Sequence, residues 1–282
     1  MGSEIRIGFS MHPRWLSHKD LKDFIDPLQG AGLSALEFEL DDRLDSWNES
    51  LLLIKAAVEL GLELSFHAPF REPHSLVGFA GNLRGSLEQK FHPLLEIAEI
   101  WARQTEKMST LVVHAAVSQP PADPHTLVAD TIAFLHYVIE TFPHLRLALE
   151  NNHPSIMGEI KVGVQRSEVL DIANNFPSAS LGICWDMGHD YLRHQQDEPP
   201  PEWYARITHV PLHDVDHNDN DHYPLVLGNV PYQPWLQKLE QVGMKGIVVL
   251  ELKGERLKDW SKDQIREALV GSIKTIAREV IK

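Results

Sequence analysis

The chain has 282 residues, 43% of them hydrophobic and 23% charged, which is enough to bury one large core or two smaller ones. Its formal net charge of −14 weighs against a nucleic-acid partner, because phosphate is contacted mainly by Lys and Arg. No apolar run approaches the roughly 20 residues that span a bilayer, and the N-terminal MGSEIRIGFSMHP lacks a basic region followed by an apolar one, so the sequence predicts no membrane partner and a cytoplasmic location.

Strand-like and helix-like stretches alternate along the chain. A strand at 5–10 precedes an amphipathic stretch at 17–29 closed by Gly30 and Gly32. A strand at 34–40 precedes a helix at 45–60 that ends at Gly61. The third strand, 62–67, leads through a Pro- and Gly-containing loop, 68–81, to a long helix at 84–106. The fourth, 110–114, precedes a helix at 125–141, and the fifth, 145–150, one near 165–175. The sixth strand is 180–186, and its helix is poorly marked because Pro199 to Pro201 interrupt it. The seventh, 207–213, precedes a helix near 234–242 ended by Gly243, and the eighth, 247–251, precedes a closing helix at 262–280. Short strands separated by helices indicate parallel βαβ units, and eight of them match a single α/β domain over 1–282, a (β/α)₈ TIM barrel. A doubly wound sheet is the alternative, but no glycine-rich phosphate loop follows the first strand.

Alternation within the strands assigns their faces. Counting back from each strand's last residue groups His67 with Ser65, His114 with Val112, Glu150 with Ala148, and Asp186 with Cys184 and Gly182. It also groups His213 with Pro211 and His209, and Glu251 with Val249 and Ile247. The opposite faces carry large aliphatics and aromatics suited to packing on helices. In a barrel, the polar or small face points to the axis. His67, His114, Glu150, Asp186, His213 and Glu251 then converge at the carboxyl-end mouth, where barrel active sites lie. His189, three residues past Asp186 across Gly188, joins them. Converging carboxylates repel unless a cation lies between them, and mixed His and carboxylate ligands suit Zn²⁺, Mn²⁺ or Fe²⁺ better than Ca²⁺. The single cysteine, Cys184, lies on a small-residue face and reads as core rather than nucleophile. It also excludes an internal disulfide framework.

Six motifs in this order and spacing carry a resemblance: FHAPF at 66–70, VVHAA at 112–116, ALENN at 148–152, CWDMGH at 184–189, PLHDVD at 211–216 and VLELK at 249–253. The chain resembles the xylose-isomerase-like TIM-barrel superfamily, which includes sugar isomerases, ketose 3-epimerases and the endonuclease IV family (AP endonuclease family 2). In the sugar branch, the resemblance implies one metal held by Glu150, Asp186, His213 and Glu251. Glu150 and Glu251 then move the substrate proton through an enediolate while the metal polarises neighbouring oxygens, and His189 orients the substrate. In the endonuclease branch it implies further zinc ligands: His67 and His114 on one metal with Glu150 bridging, and His189 and His222 on another. The third metal's usual aspartate, two residues before the last histidine, is replaced here by Asn220. The glycine pair expected shortly afterwards reads Val226-Leu227-Gly228. One or two ions, Mn or Zn, are therefore expected rather than three, with Asp219 or Asp221 as substitutes for the missing ligand.

The favoured function is a metal-dependent isomerase or epimerase acting on a sugar-like small molecule. An endonuclease IV-like zinc phosphodiesterase acting on abasic DNA is the alternative, and a metal-holding protein without catalysis is third. A DNA-binding mouth needs clustered bases, and only Arg14, Arg71, Arg84, Arg193, Lys253 and Arg256 fall near the rim, interspersed with acids. The loops at 69–81 and 215–230 are expected to form the pocket. Phe70 and Lys253 are expected to contact substrate, with Phe79, Tyr223 and Trp185 as further lining candidates. Glu37 or Glu39 supports the site or forms a salt bridge. A homo-oligomer is compatible with all of this.

Overall fold

Eight short strands pair edge to edge in the computed structural model, which describes residues 5–11, 17–40, 44–154, 158–195 and 197–280. They are β1 (Ile5–Met11), β2 (Ala35–Glu39), β3 (Glu63–His67), β4 (Ser109–His114), β5 (Leu145–Glu150), β6 (Leu181–Cys184), β7 (Ile207–Leu212) and β8 (Gly246–Leu250). Each pairs with its sequence neighbours in parallel and β8 returns to β1, so the ring is a closed barrel. A two-residue antiparallel ribbon, Val117–Ser118 against Ile160–Lys161, stands outside the ring on the loops after β4 and β5.

The helices follow the same logic. Helix α1 (His18–Ala31) buries Leu21, Phe24, Ile25 and Leu28, the spacing of one helical face. It runs through Gly30 and stops where Gly32 takes φ 117°, a conformation closed to most side chains. Helices α2 (Leu44–Glu59), α3 (Arg84–Thr105), α4 (Pro124–Thr141) and α5 (Arg166–Ala173) then fill the connections up to β6. The prolines expected to interrupt the sixth helix divide that connection into α6 (Met187–Leu192) and α7 (Pro201–Tyr204), the latter with Pro201 in its first turn. Helices α8 (Tyr232–Gln241) and α9 (Lys262–Val280) complete the outer layer.

Strand alternation divides the interior as the sequence implies. Leu64, Phe66, Leu111, Val113, Leu147, Leu149 and Ile183 face outward into the continuous core beneath the helices. Burying each such side chain contributes about 1.5–3 kcal/mol. Val112, Ala148 and Cys184 form a separate cluster inside the ring, and Ala35, Ile247 and Val249 another. Cys184 is fully buried there, a core residue.

Candidate active site

Three strands deliver a candidate site residue as their last one: β3 His67, β4 His114 and β5 Glu150. His114 and Glu150 are directly paired across the ladder, so the barrel register alone makes them neighbours. Both His67 Nε2 and His114 Nε2 lie 3.4 Å from Glu150 Oε2. Their other ring nitrogens are engaged. His67 Nδ1 is 3.0 Å from the Ala68 carbonyl, and His114 Nδ1 is 2.7 Å from Asn152 Oδ1, whose amide nitrogen donates to the Val162 carbonyl at 2.7 Å. A ring that donates from Nδ1 when neutral presents its Nε2 lone pair to the carboxylate. Lone pairs facing a carboxylate require a proton or a cation between them.

The other arc of the mouth begins two residues beyond β6. The Asp186 N–H donates to Asn151 Oδ1 at 2.7 Å, and this side-chain acceptor ends the β6 ladder short of the expected position. Asp186 caps α6, its Oδ1 accepting from the His189 N–H at 2.8 Å. The His189 Nδ1–H donates to the Asn151 carbonyl at 2.9 Å, which leaves Nε2 3.5 Å from Asp186 Oδ2. His213 follows β7 and sets Nε2 3.2 Å from Asp186 Oδ1, while its Nδ1 accepts the His222 N–H at 3.1 Å. The His213 and His222 rings stack at 4.1 Å with 10° between their planes. This packing needs Gly188, since a Cβ there would lie 2.0 Å from His213 Cε1. His222 Nε2 reaches Glu251, one residue past β8, at 3.2 Å.

Among the described residues, three groups thus have ligand atoms within 4.8 Å of one another: Asp186, His189, His213 and His222; His67, His114 and Glu150; and Glu150, Asp186 and Glu251. Six of these eight residues are buried, and His67 and Glu251 are half-buried. Burial pushes the Glu150 carboxyl up to about 8. Burial opposes a charge on His67 as well, but its contact with Glu150 raises it to about 10, so this pair retains a proton. Burial lowers His114, and it lowers His189 to about 4. Desolvation works against Asp186 and Glu251 too, yet the histidines beside them hold both carboxyls below the usual range. Glu251 Oε2 is buried with no hydrogen-bond partner among the described residues. Converging lone pairs, three carboxylates and an orphaned carboxylate oxygen fit one or two divalent cations.

Loop 214–230 departs from the expected third metal position. Asn220 lines the cavity but belongs to none of the three groups, its amide donating to Asp216 Oδ2 at 2.9 Å. Asp221 is engaged by its neighbours, with Lys253 Nζ at 3.0 Å, His222 Nδ1 at 3.0 Å and Arg256 Nη2 at 3.3 Å. These contacts hold its carboxyl well below the usual range despite burial. The exposed Asp219 also lines the mouth.

A cavity of about 1290 Å³ opens over these groups, lined in part by Phe70, His153, Lys253 and Arg256. The Phe70 ring lies 3.9 Å from that of His114. Phe79 and Trp185 are corrections: both are fully buried in the outer core, Phe79 against Phe134 and Trp185 against Trp235. Tyr223 instead pairs through its backbone with Asp214 and does not line the cavity. Glu37 forms the salt bridge, at 2.7 Å to His209 inside the barrel, while Glu39 is an exposed rim residue. Of the rim bases, Arg84 pairs with Glu88 on α3 and Arg193 donates to the Val164 carbonyl, so neither faces the mouth. Arg14 lies outside the described residues.

Several supporting residues escape strand counting. Asn151 and Asn152 orient His189 and His114, and only the doubled Asn after Glu150 hints at them. Asp190, fully buried, accepts from Arg166 at 2.7 Å, Trp185 Nε1 at 2.7 Å and Asn151 at 3.2 Å, and so braces the α6 turn. Asp214 accepts five backbone N–H groups, from Val215, Leu227, Gly228, Asn229 and Val230.

Comparisons with known proteins agree with this architecture. The chain is 29% identical over 132 residues to Uncharacterized protein MJ1311 of Methanocaldococcus jannaschii, a match covering 44% of this chain and only 43% of that relative. A D-tagatose 3-epimerase-like protein superposes with TM-score 0.64 at 19% identity, over 96% of this chain and all of the other. A D-allulose 3-epimerase from Methylomonas sp., solved with D-allulose, superposes with TM-score 0.68 at 15% identity, over 98% of each. The family model described as xylose isomerase-like TIM barrel matches residues 25–274, and the chain belongs to that family.

Proposed function

We propose that the chain is a metal-dependent sugar isomerase or epimerase. The observation that carries this reading is the convergence of Glu150 and Glu251, from strands on facing arcs of the ring, with Asp186. Glu150, Asp186, His213 and Glu251 hold the ion in this reading. A divalent cation bound there supplies a Lewis acid that polarises the carbonyl and adjacent hydroxyl oxygens of a sugar. One glutamate takes the proton from the carbon beside the carbonyl and the other returns one to the enediolate, on the opposite face for an epimerase. His189 orients a hydroxyl, Phe70 packs against the carbon chain, and Lys253 contacts the polar end. The structural neighbours named as a D-tagatose 3-epimerase-like protein and a D-allulose 3-epimerase support the same class.

The group of His67, His114 and Glu150 favours a second reading, since a single-metal isomerase has no need of it. A zinc phosphodiesterase would use it as a second centre, but Asn220 and the tied Asp221 leave the third ligand set of that reading incomplete. The test is metal analysis of protein purified without added ions, followed by parallel assays on ketoses and on abasic-site DNA. Interconversion of a ketose without strand cleavage is expected. Cleavage of the DNA with no action on any sugar overturns the proposal.

A further inference from the structure

Although the chain is strongly acidic, one side of the mouth gathers bases. Lys253 and Arg256, from the loop after β8, share Asp221. Arg71, from the loop after β3, and Lys161, from the ribbon after β5, share Glu159 at 3.5 and 3.4 Å. All six residues line the same cavity. His153 joins the two clusters: its ring lies 3.6 Å from Asp221, and its carbonyl accepts from Lys161 at 3.2 Å.

The charge is unbalanced by construction. Four cations share two carboxylates, a formal excess of two positive charges. The carboxylates lie deep, with side chains 7% exposed for Asp221 and 13% for Glu159, whereas those of Lys253 and Arg71 are 46% and 64% exposed. Buried acids therefore anchor the bases and leave ammonium and guanidinium donors directed at the cavity. The Lys161 ammonium feels both Arg71 and Lys253, so the two clusters act on one region of space. Glu39, Glu72 and Asp219 also line the mouth at exposed positions, where water screens them as it screens Arg71 and Lys253, so the excess belongs to the two clusters and not to the whole cavity.

An uncharged ketose gives these groups nothing to neutralise. We propose that the substrate is a sugar bearing a terminal anionic group, a phosphomonoester or a carboxylate, that is held by Arg71, Lys253 and Arg256 while its carbonyl end lies over Glu150 and Glu251. The inference rests on the sugar reading above and narrows its substrate class. A phosphomonoester carries about −1.5 to −2 charges at neutral pH, which matches the excess, and a carboxylate matches half of it.

The test is calorimetric binding to the metal-loaded full chain of D-fructose, D-fructose 6-phosphate and D-glucuronate. At least one anionic sugar should bind about tenfold or more tightly than D-fructose, the scale of one charge-assisted hydrogen bond, and the tighter of the two identifies the anion. Arg71→Gln, an exposed change safe for folding, and Arg256→Gln should each reduce the ratio of affinities severalfold, as should added salt. Equal affinities for charged and uncharged sugars, or a preference that survives both substitutions, overturn the anionic end and leave the sugar reading standing. Binding of none of the three overturns the sugar reading and this inference with it.

Discussion

The two arcs of the mouth hold their histidines by different means. On the β3–β5 arc, His67, His114 and Glu150 are strand residues, fixed by the same parallel ladder that closes the barrel. On the β6–β8 arc, Asp186, His213, His222 and Glu251 all lie beyond the last strand residue, held by a helix cap, an Asn side chain and a loop folded around Asp214. The first arc therefore cannot move without disturbing the barrel, whereas the second depends on polar contacts that a single substitution removes. Position is built into one arc and adjustable in the other.

Glu150→Gln and Glu251→Gln strike one residue on each arc and should have the largest effect. Each removes a proposed proton carrier at nearly constant volume, so turnover should fall by about 10²–10⁴-fold while the circular dichroism spectrum is retained. Steady-state rates on the identified sugar check this, and retained activity in either variant removes the proton-transfer pair. Asp214→Asn should separate the arcs. Asp214 is fully buried and both oxygens accept backbone N–H groups, so exchanging one oxygen for an amide strands at least two donors. A loss of about 2–4 kcal/mol is expected. Hydrogen exchange should accelerate through 215–230 and leave β4 and β5 protected. Equal acceleration in both regions would show that the two arcs are one cooperative unit.

Gly188→Ala perturbs the second arc more gently. Alanine suits a helix, but the His213 ring stands in the way, with Cε1 2.0 Å, Nε2 2.5 Å and Nδ1 2.6 Å from the added carbon. The His213 ring must turn away from Asp186, so metal affinity should fall about 10–100-fold. Titration with a metal-sensitive dye measures the affinity. An unchanged value would separate His213 from the ligand set.

This difference between arcs also governs what the sequence makes legible. Period-two counting places His67, His114 and Glu150 on the inner face because they are part of the strands that are counted. It reaches Asp186, His213 and Glu251 as well, though the observed strands stop one or two residues earlier, because the chain keeps its direction past the last ladder bond. It does not reach Asp214, Asp190, Asn151 or Asn152, whose roles consist of contacts with residues distant in sequence, such as Arg166 with Asp190. Nor does it separate Phe70, at the mouth, from Phe79, in the core, because both fall within one irregular loop.

The smallest expected effect tests the rigid arc through its charge. Without metal, Glu150 and His67 retain at least one proton at neutral pH, the carboxyl raised to about 8 by burial and the imidazole, against burial, to about 10 by the carboxylate. A cation is bound by the deprotonated forms, so occupation of this arc must expel that proton near neutral pH. Affinity should then rise with pH, by about tenfold per unit for one proton, and weaken correspondingly on acidification. On the second arc Asp186 and Glu251 are already held in their charged forms, but His222, though burial opposes its charge, is raised to about 9 by Glu251 and Asp221 and carries a proton of its own. His189, lowered to about 4, is already neutral there, so little proton release is expected from these three. Calorimetry in two buffers of different ionisation enthalpy counts the protons directly. A proton count that falls in His67→Gln relative to the unsubstituted chain places a cation on the β3–β5 arc, whereas an unchanged count confines it to the β6–β8 side and removes His67 from the ligand set.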